Sequence, residues 1–557
     1  MQTPPVQINM ERSVSTSPLH MERGLRGEVF VIALLLVAAL IVRLPLTDAA
    51  LFEFAPMRQF YSALTARAIY FDLAPTGVSD ARRAVVDDYM RTATRLEPPV
   101  IETVAALAYT LVGREDLRIP IALSWAYWLA GGVSVYAIAR TLANDGQRTR
   151  RADGMFPASI ALVVYLFLPY TITATRTFQP DAPALMFMLA SIYLLLRHDD
   201  TPSRGRFIAA ALCGMAALFI RLMTGFFLYP VFGLLMWRKY GLRRALMQPQ
   251  TWLFIAISAT PTVIYYVGTV FATLAGRGRL DTNFAPSLFA QASFWEAWGR
   301  LLTTAFPAGL LIAAAAGVLL WRGRGRWIVA GLWIGYALYG AIFNFHISTH
   351  PYYQTLFVPA VALGAAGVAA RLARYLPHPP TPSPYQRGGD RQVGASALHI
   401  ERGLGGEVTR LALVSALTFA LVTVFPFSAV FPSEPDMIPV YQAAGRAADH
   451  SLRTIAMTDN WATPLRYYGE VAGQYFPTRY EIDMYKPLGD AGIPELTAAD
   501  RIAQLAARMN GVDFFIVTDL RELDNQPDLR AHLEQSYPIV AAGAGYVVYD
   551  LRANNGA

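Results

Sequence analysis

The sequence predicts an all-α polytopic membrane bundle of about 11 transmembrane helices followed by a small C-terminal α/β domain. Three observations predict it. Hydrophobic residues make up 54% of the 557-residue chain and charged residues only 16%, against about 25% charge in soluble domains. Uncharged runs long enough to cross a bilayer recur along most of the chain. Basic residues fall in short packets between those runs, the pattern of membrane topology rather than of a nucleic-acid-binding face, so the net charge of +7 does not argue for nucleic acid as a partner.

The apolar runs lie at 29–46, 119–139, 155–175, 181–196, 207–220, 222–237, 252–275, 301–321, 327–345, 352–370 and 409–431. Arg43-Leu44-Pro45 after the first run is not a small-residue cleavage site, so no cleavable signal peptide is expected. A further run, 98–112, is short for a span and carries Glu102. Placed in the interface, it leaves every packet (among them Arg148/Arg150/Arg151, Arg238/Lys239/Arg243/Arg244 and Arg322/Arg324/Arg326) on the cytoplasmic side. The N-terminal segment 1–28 is then inside. A membrane module covers 29–375 with a long outer loop at 47–118, 409–431 is the last span, and 432–557 lies outside.

Ser17–Val29 recurs as Ser396–Val408 with three changes, and His378–Gln392 is rich in Pro and Gly. Neither copy has an apolar face to stack, so 376–408 reads as a flexible cytoplasmic linker. The tail alternates β-rich runs (Arg453–Thr458, Val512–Thr518, Gly545–Leu551) with helix-like runs (Ala498–Met509, Leu529–Gln535). Asp459, Trp461, Tyr467 and Tyr468 could touch a ligand there, or serve only as turn and core residues.

No Walker A, GxGxxG, CxxC or HExxH pattern occurs, which argues against an ATP-driven pump. The single Cys213 sits in an apolar run, giving no disulfide framework. Chemistry is therefore sought in polar residues at the outer ends of the spans. The first loop holds Asp48, Glu53, Arg58, Gln59, Glu97 and Glu102. A surface carboxylate such as Glu53 can accept a proton from a hydroxyl, and an Arg such as Arg58 can grip a lipid phosphate; a plain salt bridge near the headgroups is the alternative. Asp181 opens a span, where it also suits the helix dipole. Arg221 lies at an outer end, where it could bind phosphate or snorkel. His346 and His350 are four apart, but Pro351 breaks the turn and no third ligand adjoins, so a metal site is not expected.

In order and topology these pieces resemble the GT-C superfamily of integral-membrane glycosyltransferases, and within it the protein O-mannosyltransferase and aminoarabinose-transferase-like family. The resemblance spans about 29–370. It rests on the first loop with Arg58-Gln59-Phe60-Tyr61-Ser62-Ala63 through Ala66-Arg67, on Glu97-Pro98-Pro99-Val100, on Gln179-Pro180-Asp181, and on His350-Pro351-Tyr352-Tyr353-Gln354 with Pro359. The chain departs from relatives that carry an Asp-Glu pair, for Met57-Arg58 stands there. It also departs from those with His-Pro-Trp-Arg-Gln, for it reads Ala55-Pro56-Met57-Arg58-Gln59.

The resemblance implies inverting transfer of a sugar from a polyprenyl-phosphate donor to a glycan, lipid or protein acceptor at the outer face, without metal or other cofactor. Glu53 would be the base, with Asp48 as fallback, and Asp181 would orient the acceptor or Glu53. Arg58, Arg221 and Gln59 would hold the donor phosphate. Glu97, Glu102, His346, His350, Tyr352, Tyr353 and Gln354 would contact substrate. Two other classes remain open from the sequence: a transporter or flippase of a lipid-linked glycan, although no inverted repeat is visible, and a non-catalytic scaffold.

Overall fold

The computed structural model describes residues 18–44, 50–74, 77–93, 97–145, 154–271, 284–375, 413–418, 420, 437–486, 488 and 497–552. Asp48, the linker 376–408 and most of the expected last span lie outside them; 413–418 is helical.

The bundle begins with α1 (Pro18–Arg43). After a short helical turn, Ala50–Glu53, the first loop carries α2 (Pro56–Leu73), α3 (Asp80–Thr92) and α4 (Val100–Val112). There follow α5 (Arg118–Asn144), α6 (Met155–Phe167), α7 (Pro169–Ala174), α8 (Asp181–Asp200), α9 (Arg204–Ile220), α10 (Gly225–Tyr240), α11 (Leu242–Met247) and α12 (Pro249–Tyr265). The module closes with α13 (Ala292–Ala305), α14 (Ala308–Leu320), α15 (Arg324–Ile342), α16 (Asn344–Thr349) and α17 (Val358–Leu372).

Every expected span that falls among the described residues coincides with helix, but several differ in form; 155–175, for one, breaks at Leu168 between α6 and α7. Helix α1 begins at Pro18, so the first copy of the repeat lies almost wholly in helix. The run 301–321 is not one straight span: α13 and α14 meet at 95°, because Pro307 disfavours helical backbone at Phe306. By length and composition, three described helical stretches suffice to cross a membrane, Arg118–Asn144, Pro249–Val270 and Pro351–Leu372, with the bent pair a fourth. The run 98–112 is the thirteen-residue α4.

Small residues let the helices pack closely. A Cβ on Gly317 of α14 would lie 2.1 Å from the Gly364 carbonyl oxygen of α17, and one on Gly335 of α15 would lie 2.4 Å from the Phe226 carbonyl oxygen of α10. One end of the bundle is tied by ion pairs. Arg324 at the start of α15 meets Asp145, Asp199 and Asp200, Lys239 meets Asp199 at 2.9 Å, and Arg140 meets Glu28 at 2.7 Å. These ion pairs join residues of the arginine-rich turns between the helices.

The first loop and the C-terminal domain occupy the other end. The domain comprises α18 (Met437–Ala447), β1 (Thr454–Met457), α19 (Thr463–Gly469), β2 (Gly473–Tyr475), α20 (Arg479–Tyr485), α21 (Ala498–Ala506), β3 (Phe514–Val517), α22 (Leu520–Asp524), α23 (Pro527–Ser536), β4 (Ile539–Gly543) and β5 (Tyr546–Asp550). The sheet order is β2-β1-β3-β5-β4, with β1 parallel to β2 and β3, and β5 antiparallel to β3 and β4. Strands β1 and β3 are buried at every position, as their unbroken apolar runs require. Capping boxes start α20 (Thr478 with Glu481) and α21 (Thr497 with Asp500). The domain docks on α2 through Phe60, which meets both Tyr467 and Tyr468 at 5.6 Å between centroids, and through Arg67, whose Nη1 donates to the Tyr467 carbonyl at 2.8 Å.

Candidate active site

At the loop end, three helix termini and the first loop bring charge together. Arg221 caps the C-terminus of α9 with extended backbone, and its side chain is only 2% exposed. Its Nη1 donates to Glu97 at 2.9 Å, and its Nε lies 2.9 Å from Asp181 Oδ1 without hydrogen-bond alignment. Arg58, in the first turn of α2, pairs with the other oxygen of Glu97. One carboxylate thus bridges two arginines. Tyr265 holds the Glu97 backbone, donating to its carbonyl at 3.0 Å.

Asp181 is the first residue of α8 and is 4% exposed. Neither of its oxygens accepts a hydrogen bond from a described group. A buried carboxylate with spare acceptor capacity is costly unless something uses it. On the far side of Arg221, the ring of Tyr352 lies 5.8 Å away. Tyr353, His346 and His350 stack beside it, with centroids 5.3 Å apart for His346–Tyr353 and 5.2 Å for His346–His350. Burial pushes the two imidazoles down to about 3 and about 4, so both are neutral at physiological pH. In that neutral form they can exchange hydrogen bonds with hydroxyls. Among the described residues no third metal ligand joins them.

Glu53 ends the short turn before α2 and is half-buried. Arg176 faces it at 3.2 Å. The segment from Arg176 to Asp181 is sewn to the first loop. Gln59 accepts from the Phe178 N–H at 3.0 Å and donates to the carbonyls of Leu51 and Phe54, while Gln179 donates to Phe54 at 3.4 Å. This knot fixes the Glu53 turn against the segment that leads into Asp181.

Other expected contacts are occupied otherwise. Gln59 is fully buried and spends its amide on backbone, so it ties loops together rather than facing a phosphate. Gln354 accepts from Tyr336 at 2.5 Å and donates to Ile347. Glu102 accepts from Ser62 at 2.7 Å between α4 and α2, and burial raises its carboxyl.

Two residues carry roles here that sequence reasoning did not assign. Arg176 aims Glu53. Arg43, fully buried at the end of α1, donates to Thr175, Ala39 and Leu166, each at 2.9 Å. An arginine interrupting an apolar run was the available signal for Arg43.

Known proteins resemble the chain in sequence profile and in fold. The profile of the dolichyl-phosphate-mannose-protein mannosyltransferase family matches residues 96–266, the stretch that carries Glu97, Asp181 and Arg221. In three dimensions the chain is similar to the ArnT of Cupriavidus metallidurans bound to undecaprenyl phosphate. The TM-score is 0.52 at 14% identity, over 94% of this chain and 99% of that one. The apo state of the same ArnT gives 0.52 at 15% identity, over 94% and 98%. The chain has the GT-C fold. No curated protein matches it in sequence. The 171-position interval of the family match begins one residue before Glu97 and ends one after Tyr265, so it contains both the bridging acid and the tyrosine that holds its backbone.

Proposed function

We propose that the chain is a membrane glycosyltransferase that moves a sugar from a polyprenyl-phosphate donor to an acceptor hydroxyl at the outer face, with inversion. The observation that carries the reading is the pair Arg58 and Arg221 converging on one carboxylate at the loop end. Two guanidinium groups that hold a planar anion between them can hold a phosphate in the same way, and the similar ArnT is bound to undecaprenyl phosphate.

The Glu53 carboxylate takes the proton of the acceptor hydroxyl as its oxygen attacks the anomeric carbon from the face opposite the phosphate. The anomeric C–O bond breaks, and its electron pair leaves with the polyprenyl phosphate. The donor diester carries one negative charge and the departing monoester gains another. Arg58 and Arg221 therefore interact more strongly with the transition state than with the bound donor, which is what accelerates a reaction. Asp181 orients the acceptor, its oxygens being able to receive hydroxyl protons. Glu97 holds both arginines in register and yields them to the phosphate.

The test is transfer in vitro from radiolabelled undecaprenyl-phosphate sugars to membrane acceptors. Label should appear in product with the opposite anomeric configuration. Movement of intact donor across vesicles without product would establish the transporter instead.

A further inference from the structure

The C-terminal domain has the strand order 2-1-3 across its parallel half, and the connections leave β1 towards β2 and β3 towards the β5-β4 side. Between the carboxyl ends of β1 and β3 lies a topological switch point, where open α/β sheets form a ligand crevice. There the buried hydroxyls of Thr458 and Thr518 are hydrogen-bonded to each other at 2.5 Å. The loop leaving β1 is Asp459-Asn460-Trp461-Ala462, and its last three residues all have left-handed backbone, with φ of 56°, 56° and 59°. That conformation is unfavourable for side chains other than Asn and Gly, and Trp and Ala have no local means of relieving it. Such strain persists where the surroundings enforce it, and it gathers at functional sites.

The strained turn has two faces. Ala462 is buried, and the turn lies against α2, the helix that carries Arg58. Trp461 is only half-buried. Its ring meets Tyr475 at 5.1 Å and the edge of Tyr485 at 6.3 Å. Tyr485 in turn stacks on Phe345 of α16 at 5.1 Å and 29°. Phe345 adjoins His346, and Tyr352 on the same loop faces Arg221. An aromatic row thus runs from the switch point of the soluble domain to the rim of the arginine pair.

We propose that Trp461, two residues after the exposed Asp459, is a binding subsite for a sugar ring, supplied by the C-terminal domain. The chemistry matches: the negative face of an indole attracts the electropositive C–H face of a pyranose or furanose, and a neighbouring carboxylate accepts from ring hydroxyls. Trp461 keeps its strained backbone although the residue is only half-buried, so core packing alone does not account for it. The inference rests on the glycosyltransferase reading and extends it to a residue outside the membrane module. The ring belongs either to the donor or to a glycan acceptor.

The experiment measures dissociation constants of the purified full-length chain, and of Trp461→Ala and Trp461→Phe, in detergent. The probes are undecaprenyl phosphate, a set of undecaprenyl-phosphate hexoses and pentoses, and soluble oligosaccharides. Undecaprenyl phosphate should bind all three proteins alike, which also certifies their folding. At least one sugar-linked lipid or oligosaccharide should bind the wild type and Trp461→Phe more tightly than Trp461→Ala, by roughly 3- to 10-fold for an aromatic stacking contact. Loss confined to sugar-linked lipids assigns the subsite to the donor; loss confined to oligosaccharides assigns it to the acceptor. Equal sugar affinities in wild type and Trp461→Ala overturn the proposal, as does the absence of any sugar-dependent binding. Failure of undecaprenyl phosphate to bind the wild type removes the phosphate reading itself and this subsite with it.

Discussion

Arg221 reaches across 124 positions of sequence to donate to Glu97 at 2.9 Å, from a side chain that is almost wholly buried. A buried cation needs partners, and here they are two carboxylates, Glu97 and Asp181. The pairs Arg58–Glu97 and Arg221–Asp181 bring two positive and two negative groups together, so the cluster is close to neutral as it stands. Under the proposed function, binding an anionic lipid would be an exchange of partners.

Replacing Glu97 with Gln keeps the shape and removes the competing charge. Affinity for undecaprenyl phosphate should rise by roughly tenfold, the worth of about one charge-assisted hydrogen bond at the low end of its range. A titration of the full-length protein in detergent checks it; weaker binding would mean that Glu97 serves the phosphate only by positioning the arginines.

Arg221→Lys retains a charge but loses the planar fork that spans Glu97 and Asp181. Donor-phosphate affinity should fall by about tenfold or more. Arg221→Ala should also lower the melting temperature, since it strands buried carboxylates. Unchanged affinity in both variants would remove Arg221 from the phosphate site.

Glu53→Gln removes the proton acceptor at constant shape, and turnover should drop by about 10²–10⁴-fold with undecaprenyl phosphate binding little changed. Arg176→Gln, which frees the Glu53 carboxylate from its 3.2 Å partner, should lower turnover less than Glu53→Gln does. Full activity in Glu53→Gln would transfer the base role to another acid.

The C-terminal domain should lose stability as pH rises. Burial, with Asp459 and Glu522 nearby, raises the Glu481 carboxyl from its usual 4.5 to about 8. An acid whose folded value is raised binds its proton more tightly in the folded state. Its contribution is complete below the unfolded value, near 4.5, and is lost as pH climbs through about 8. Melting of the full chain between pH 5 and pH 8, roughly the interval of that shift, should show a decline that Glu481→Gln flattens.

Much of this was legible in the sequence, for a stated reason. Asp181 and Arg221 stand out because a charge flanked by apolar residues is rare, and β1, β3 and β5 announce themselves as apolar runs between turns. What escaped needs tertiary knowledge. Gln59 reads as a polar residue beside Arg58, but its partners are the backbone of Leu51, Phe54 and Phe178. Arg176 reads as a loop charge until Glu53 is placed against it. Strand β2 has three residues including Gly473, and β4 is largely exposed, so neither shows a hydrophobic period. The bend between α13 and α14 was hidden because Pro307 sits inside a continuous apolar run.

The docking of Tyr467 on α2 also sets a schedule. Arg67 and its carbonyl acceptor are 400 positions apart, so at about 5–20 residues per second a ribosome needs roughly 20–80 s to deliver the second after the first. For that interval the aromatic face of Phe60 and the guanidinium of Arg67 have emerged without the surface that covers them. Early synthesis therefore produces a bundle with a sticky rim, and the last hundred or so residues act as its closing cover. A chain truncated before Tyr467 should be held by chaperones at the membrane and cleared, even though every helix of its bundle has been made.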